Sequence, residues 1–255
     1  MRTILISCLA LLLLIPSATY AQWEIRERNE SLSDPDKWKV VQLEITNGAS
    51  RPDLQLVYFP SDNAEWNVVP NLTGEIDGAE AAVKSIGAAA GINGGYFEGN
   101  LEPLGLLISK GERIHHFQKA KLLSGIFAIR HGRPELKRIT EFSGTKGVSE
   151  AIQCGPFLVD SSKSVQGLNS TKSAARTFVF MTNSSIWGIG ICRSATLAEM
   201  GAILATGNLI PGHQITRALN FDGGSSTTLY AILSGHEISS PGLKPVSNYL
   251  VIKRK

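Results

Sequence analysis

Short apolar runs, each closed by a glycine, proline or asparagine turn, recur from Trp38 almost to the end of the chain. Runs this short are poor helices, but they suit strands that bury one or both faces. Residues 38–46 alternate apolar with polar and predict a strand. Residues 54–59 predict another, and the Asn47-Gly48 and Arg51-Pro52 breaks between them suggest a hairpin. Further strands are expected at 105–109, 125–130, 151–159, 176–181, 186–191, 218–221, 227–233 and 248–252, with Asn183 and Ser184 turning a second hairpin. Only two segments read as helices. Residues 76–90 are rich in alanine and predict a helix from about Asp77, weakened at Gly87. Residues 196–204 carry apolar side chains on a helical repeat, and Thr196 with Glu199 fits a capping box. Helices and strands do not alternate, which disfavours a doubly wound sheet. The expectation is an α+β fold: one domain over 38–255, with a large mixed or antiparallel sheet and a few packed helices.

The first residues are of another kind. Arg2 supplies a positive start, residues 4–15 are almost wholly apolar, and Pro16 ends the run ahead of small and polar residues. This is the pattern of a signal peptide over 1–21, cleaved after Ala21. The run is too short to span a bilayer, which takes about 20 apolar residues. The expected product is therefore exported, periplasmic or secreted, with no spanning segment after cleavage. Residues 22–37 are polar and read as a lead-in. Beyond them remain Cys154 and Cys192, either a cross-strand disulfide or two buried thiols. The chain has 25 Lys and Arg against 22 Asp and Glu, a net +3. No basic face is implied, so nucleic acid is not an expected partner.

Three polar-glycine clusters stand out. The first is Asn93-Gly94-Gly95-Tyr96-Phe97. Consecutive glycines permit unusual backbone angles or close approach of backbone to a ligand, Asn93 offers a donor and an acceptor, and Tyr96 could wall a sugar. The second joins Gln153-Cys154-Gly155-Pro156 to Arg176-Thr177. The Arg176 fork suits phosphate, or it makes an ordinary strand-end salt bridge. The third is Asn220-Phe221-Asp222-Gly223-Gly224-Ser225-Ser226-Thr227-Thr228. Asp222 could act as acid, base, nucleophile or metal ligand, and the backbone N–H groups after it can form an anion nest. Each cluster could equally be a plain turn. The chain lacks a G-x-S-x-G elbow, a phosphate-binding P-loop and an H-E-x-x-H helix. His213 reads as a solvated loop residue that could approach the third cluster.

Taken together and in this order, these pieces resemble the phosphodiester glycosidase family: Asn93-Gly94-Gly95-Tyr96-Phe97, Gly155-Pro156-Phe157-Leu158-Val159, Arg176-Thr177 and Asn220-Phe221-Asp222-Gly223-Gly224-Ser225-Ser226-Thr227. The resemblance spans about residues 85–252. Phe221 stands where the family often has Leu, and Ala175 where it often has Pro. The resemblance implies a hydrolase that breaks the sugar–phosphate bond of a sugar-1-phosphodiester. Asp222, Arg176 and Asn93 would then be catalytic. Gly94, Gly95, Tyr96, Gln153, Thr177, Gly223, Gly224, Ser225 and Ser226 would bind substrate. The implied partner is a carbohydrate phosphodiester or envelope glycopolymer. No cofactor is required by default, although Asp and backbone oxygens suit Ca²⁺ or Mg²⁺. A second acid is sought among Glu98, Glu102 and Asp160. The alternatives are a polysaccharide-binding module without catalysis and a serine hydrolase using Ser225 or Ser226.

Overall fold

The computed structural model describes residues 22–30 and 37–255. The expected signal peptide lies outside the described residues. Strands are numbered along the chain. The largest sheet runs β1 (Glu24–Glu30), β2 (Lys39–Thr46), β3 (Asp53–Pro60), β14 (Ile186–Ala195), β13 (Ala174–Thr182), β15 (Ile215–Asn220), β11 (Phe157–Asp160) and β12 (Lys163–Ser164). A second runs β7 (Glu112–His115), β6 (Leu107–Ser109), β10 (Val148–Cys154), β8 (Gly125–Arg130) and β9 (Arg133–Arg138). The third runs β17 (His236–Ser240), β16 (Leu229–Leu233), β5 (Ala90–Asn93), β18 (Asn248–Arg254) and β4 (Ala64–Pro70). Neighbouring strands pair antiparallel in all three.

The three sheets close on one apolar core, to which every sheet contributes: Val57 and Ile189 from the first, Phe127 and Ile152 from the second, Ile92 and Leu250 from the third. Trp38 stacks on Phe59 at 4.1 Å between ring centroids, and Trp66 packs against Phe59, Phe127 and Trp187. Two helices cover outer faces. α1 (Gly78–Ser85) lays Ala79, Ala82 and Val83 on the third sheet, beside Tyr230 and Val251. α2 (Leu197–Leu204) lays Met200, Ile203 and Leu204 on the first, beside Phe178 and Phe180. The capping box is present: Thr196 Oγ1 accepts from the Glu199 N–H, and Glu199 accepts from the Thr196 N–H.

Both expected hairpins form, but three expectations need correction. With 49% of the described residues in strands and two α-helices of eight residues among them, the molecule is mainly β rather than clearly α+β. The lead-in is not a bare approach, since Glu24–Glu30 pairs with β2 as the edge strand of the first sheet. Its charged side chains hid it, and charge is what keeps an exposed edge from pairing with another molecule. The apolar run 151–159 is two strands. It breaks at Gly155-Pro156, a cis peptide, and passes from the second sheet to the first. Cys154 and Cys192 are free buried thiols on different sheets. Burial pushes the Cys192 thiol up to about 12 and raises that of Cys154 as well.

Candidate functional site

The three polar-glycine clusters meet at one end of the molecule. β13 and β15 are antiparallel neighbours with Phe178 opposite Asn220, so the beginning of β13 lies beside the residues that follow β15. That register sets Arg176 and Thr177 next to Asp222 and Gly223. The Phe221 N–H donates to the Thr177 carbonyl at 2.8 Å. A side chain at Gly223 would meet the Ala175 carbonyl oxygen at 2.5 Å, so only glycine lets the two backbones lie this close. The third sheet joins at the end of β5. There the Asp222 N–H donates to the Gly94 carbonyl at 3.1 Å.

Asn93 ties the junction. It is fully buried; its Nδ2 donates to the Asp222 carbonyl at 2.8 Å, and its Oδ1 accepts from Thr177 Oγ1 at 2.8 Å and from the Thr228 N–H at 3.1 Å. One amide thus holds pieces of all three clusters. A residue with no exposed surface and both acceptor sites filled is a positioning residue, so Asn93 is not placed to grip a sugar hydroxyl. Thr177 is likewise wholly buried and acts through Asn93. Gly94 and Gly95 are held from below by Asn248, a residue the sequence reading did not single out. The Gly95 N–H donates to Asn248 Oδ1 at 3.0 Å, and a side chain at Gly94 would overlap that same oxygen.

Above this clip lie Tyr96, Arg176, Asp222 and Gly223, partly exposed, and Gly224 and Ser225, exposed. Asp222 loses solvation, which raises its carboxyl above the ordinary 3.8. The neighbouring Ser226 hydroxyl, the Gly223 N–H and the Lys244 charge oppose the rise. The Gly223 N–H donates to Asp222 Oδ1 at 2.9 Å. Arg176 donates from Nε to the Ala195 carbonyl at 2.9 Å and from Nη2 to the Lys172 carbonyl at 2.6 Å. It has no carboxylate partner among the described residues, so it is not the ordinary strand-end salt bridge. Burial pushes the pKa of its guanidinium below the ordinary value. Tyr96 O–H donates to the Gly155 carbonyl at 2.6 Å and accepts from Asn220 Nδ2 at 3.0 Å. Burial pushes its phenol far up, the Asp222 charge raises it further and Arg176 opposes, which puts Tyr96 within electrostatic reach of both.

A model of the phosphodiester glycosidase family matches residues 87–253, a span that holds every residue of this junction. The chain belongs to the phosphodiester glycosidase family. No curated protein matches the chain. The fold is similar to the catalytic domain of zebrafish N-acetylglucosamine-1-phosphodiester alpha-N-acetylglucosaminidase, there auto-inhibited by its pro-peptide. That match has a TM-score of 0.60 and 16% identity, over 94% of this chain and 85% of the other. It is also similar to a hypothetical protein from Synechocystis, with a TM-score of 0.58 and 14% identity over 86% of this chain and 62% of that one. A putative exported protein from Burkholderia pseudomallei has a TM-score of 0.58 and 11% identity, over 80% of this chain and 74% of that one. At these identities the likeness is one of fold.

The remaining expected residues of this family member divide sharply. Gln153 is buried with its amide saturated. Oε1 accepts from the Leu106 and Gln118 N–H groups, and Nε2 donates to the Gln118 and Leu123 carbonyls. It braces the strand before Gly155 and has nothing left for substrate. In the third cluster the N–H groups of Ser226 and Thr227 are used on the Gly223 and Gly224 carbonyls. The anion nest therefore narrows to the Gly224 and Ser225 N–H groups, which open a short 3-10 turn over Gly224–Ser226. Asn220 Oδ1 and Asn248 Nδ2 are buried in this region without hydrogen-bond partners among the described residues. Such groups cost about 1–3 kcal/mol each.

Other candidates fall away from the junction. Asp160 pairs with Arg138 and Arg217, and Glu98 is a solvent-exposed loop acid, as is Glu102. His213 bonds Ser184 at the opposite end of β15, roughly 17 Å along the strand at about 3.3 Å per residue. Among the described residues no histidine hydrogen-bonds Ser225 or Ser226, and Cys154 is too buried and too weakly acidic to be a nucleophile. Nor do three or more His, Cys, Asp or Glu side chains among them gather where a metal ion would be held. No helix among the described residues is long and apolar enough to cross a membrane.

Proposed function

We propose that this chain hydrolyses the bond between the anomeric carbon of a sugar and the phosphate of a sugar-1-phosphodiester, in a glycoconjugate outside the cytoplasm. The observation that carries the reading is an unpaired, half-buried Arg176 beside a desolvated Asp222, both held by a rigid clip in a family of phosphodiester glycosidases. A guanidinium with no acid of its own attracts an anion. Arg176 and the Gly224 and Ser225 N–H groups hold the phosphate and stabilise the charge that builds as the anomeric C–O bond breaks. The electron pair of that bond goes to the phosphate oxygen, and a water oxygen bonds to the anomeric carbon. Asp222 takes the proton of that water or stabilises the cationic sugar carbon. Phosphate leaves readily, so the chemistry tolerates having no second carboxylate beside Asp222 among the described residues. Tyr96, its hydroxyl tied at both ends, presents a fixed ring to the sugar. Asn93 and Thr177 keep Asp222 and Arg176 in register.

The reading routes no step through a metal, and chelation is expected to leave turnover unchanged. Export is supported by Arg2 and the apolar run of residues 4–15. The test is release of reducing sugar from synthetic sugar-1-phosphodiesters of several sugars and aglycones. Tight binding of envelope polymer with no release from any of them would sink the hydrolase reading in favour of a binding module.

A further inference from the structure

The loop between β17 and β18 reaches the candidate site, although nothing in its local sequence announces it. The Leu243 N–H donates to the Ser225 carbonyl at 2.9 Å, fixing the loop to the turn that follows Asp222. Gly242 packs on the same turn: a side chain there would sit 3.5 Å from the Ser226 carbonyl oxygen and 3.7 Å from that of Ser225. The next residue, Lys244, places its ammonium 5.0 Å from the centroid of the Phe97 ring, which belongs to the first polar-glycine cluster. The lysine thus bridges the first cluster and the third. It forms no ion pair with a carboxylate among the described residues, and its charge is felt at Asp222.

We propose that Lys244, steadied over Phe97, is a second cation for the substrate's phosphate, complementing Arg176. The inference rests on the sugar-1-phosphodiester reading and deepens it. A phosphodiester carries one negative charge. Cleavage at the anomeric carbon leaves a phosphomonoester, on which a second charge develops. Arg176, held by two backbone carbonyls, answers the charge already present. A flexible ammonium at the rim can follow the charge as it appears. A cation–π contact at such an exposed position is weak, so Phe97 guides the ammonium without competing with an anion. An interaction stronger in the transition state than in the ground state acts on kcat.

The experiment compares wild type with Lys244→Met, which keeps the apolar stem, and Lys244→Arg, which keeps the charge. Leu243→Ala is the control; its side chain is 86% exposed and the backbone bond to Ser225 survives. Circular dichroism first establishes that each variant is folded. On a sugar-1-phosphodiester, Lys244→Met is expected to lower kcat by about 10- to 100-fold with KM changed less than threefold; Lys244→Arg recovers most of the rate, and Leu243→Ala stays within twofold. Lys244→Met within twofold of wild type, or a loss confined to KM, overturns the assignment. Calorimetry with inorganic phosphate separates this inference from the reaction itself. Were the wild type to turn over no sugar phosphodiester, at least fivefold weaker phosphate binding by Lys244→Met would still uphold Lys244 as an anion contact, and unchanged binding would sink that too.

Discussion

β15 passes through two clusters of charge that behave in opposite ways. At Arg217 every charge has a partner. Its guanidinium grips Glu141 with Nη1 and Nη2 at 2.6 and 2.8 Å, and meets Asp160 at 3.1 Å on the neighbouring strand, directly across the register. Asp160 also takes Arg138 at 2.7 Å, and both arginines lie over the Phe157 ring. The side-chain bonds from Arg217 hold Glu141 at about 2 and raise Arg217 itself. Just past the strand's other end, Asp222 is raised by burial and Arg176 is lowered by it, with neither in an ion pair among the described residues. The residue types are the same in both places. Pairing makes one a brace between strands. Lack of pairing leaves the other with charge available for a ligand, and displaced acidity of this kind is typical of functional sites.

The largest effect that would test the contrast is Asp222→Asn. Turnover of a sugar-1-phosphodiester is expected to fall at least about 10³-fold, while thermal unfolding shifts by no more than a few degrees. Substantial residual turnover would remove Asp222 from the chemistry. Arg176→Gln should come next, with kcat/KM down about 10²-fold, or roughly 2.8 kcal/mol at about 1.4 kcal/mol per decade. Binding of a neutral sugar should be unaffected; equal losses for neutral and phosphorylated ligands would break the phosphate assignment. A third test is the acid side of the rate–pH profile. Because the folded Asp222 keeps its proton above the ordinary 3.8, activity that needs its carboxylate is lost, as pH falls, earlier than an unperturbed aspartate would dictate. A profile flat down to pH 4 would contradict that.

The smallest effect belongs to the paired cluster. Glu141 sits below its ordinary 4.5 when folded, so its contribution to stability is complete above about pH 4.5 and drains away as pH drops through about 2. The Glu141 side chain is 36% exposed, which limits the contribution to about 1 kcal/mol. Glu141→Gln should therefore unfold in less denaturant than wild type at pH 6, with the gap closing toward pH 2, and the rate per folded molecule should not change. A loss of catalytic rate in this variant would erase the distinction between the two clusters.

The regular strands were legible because alternation and glycine turns are local signals. Residues 38–46 and 54–59, the hairpin at Asn183, and the capping box at Thr196 all follow from neighbours in sequence. β9 was not legible: its RPELKR buries only Leu136, too little apolar pattern to read. The break at Gly155 was hidden inside one unbroken apolar run, since a change of sheet alters partners without altering hydrophobicity. Within the candidate site the three clusters were visible as chemistry, yet the division of labour among them was not. Asn93 looked catalytic, and Thr177 and Gln153 looked like substrate contacts; all three are buried and hydrogen-bonded within the fold. Asn248 and Lys244 looked like nothing and belong to the junction.

The sequence by itself determined that the chain makes many short strands, that glycines stand where backbones must approach, and which acids and bases are available. Only the tertiary structure decided which charges are neutralised. Whether Asp160 or Asp222 finds an arginine depends on what lies across a strand register and on how much water burial removes. Both are set by residues far away in sequence. Hydrophobic pattern is a property of a segment; electrostatic pairing and desolvation are properties of the assembled fold.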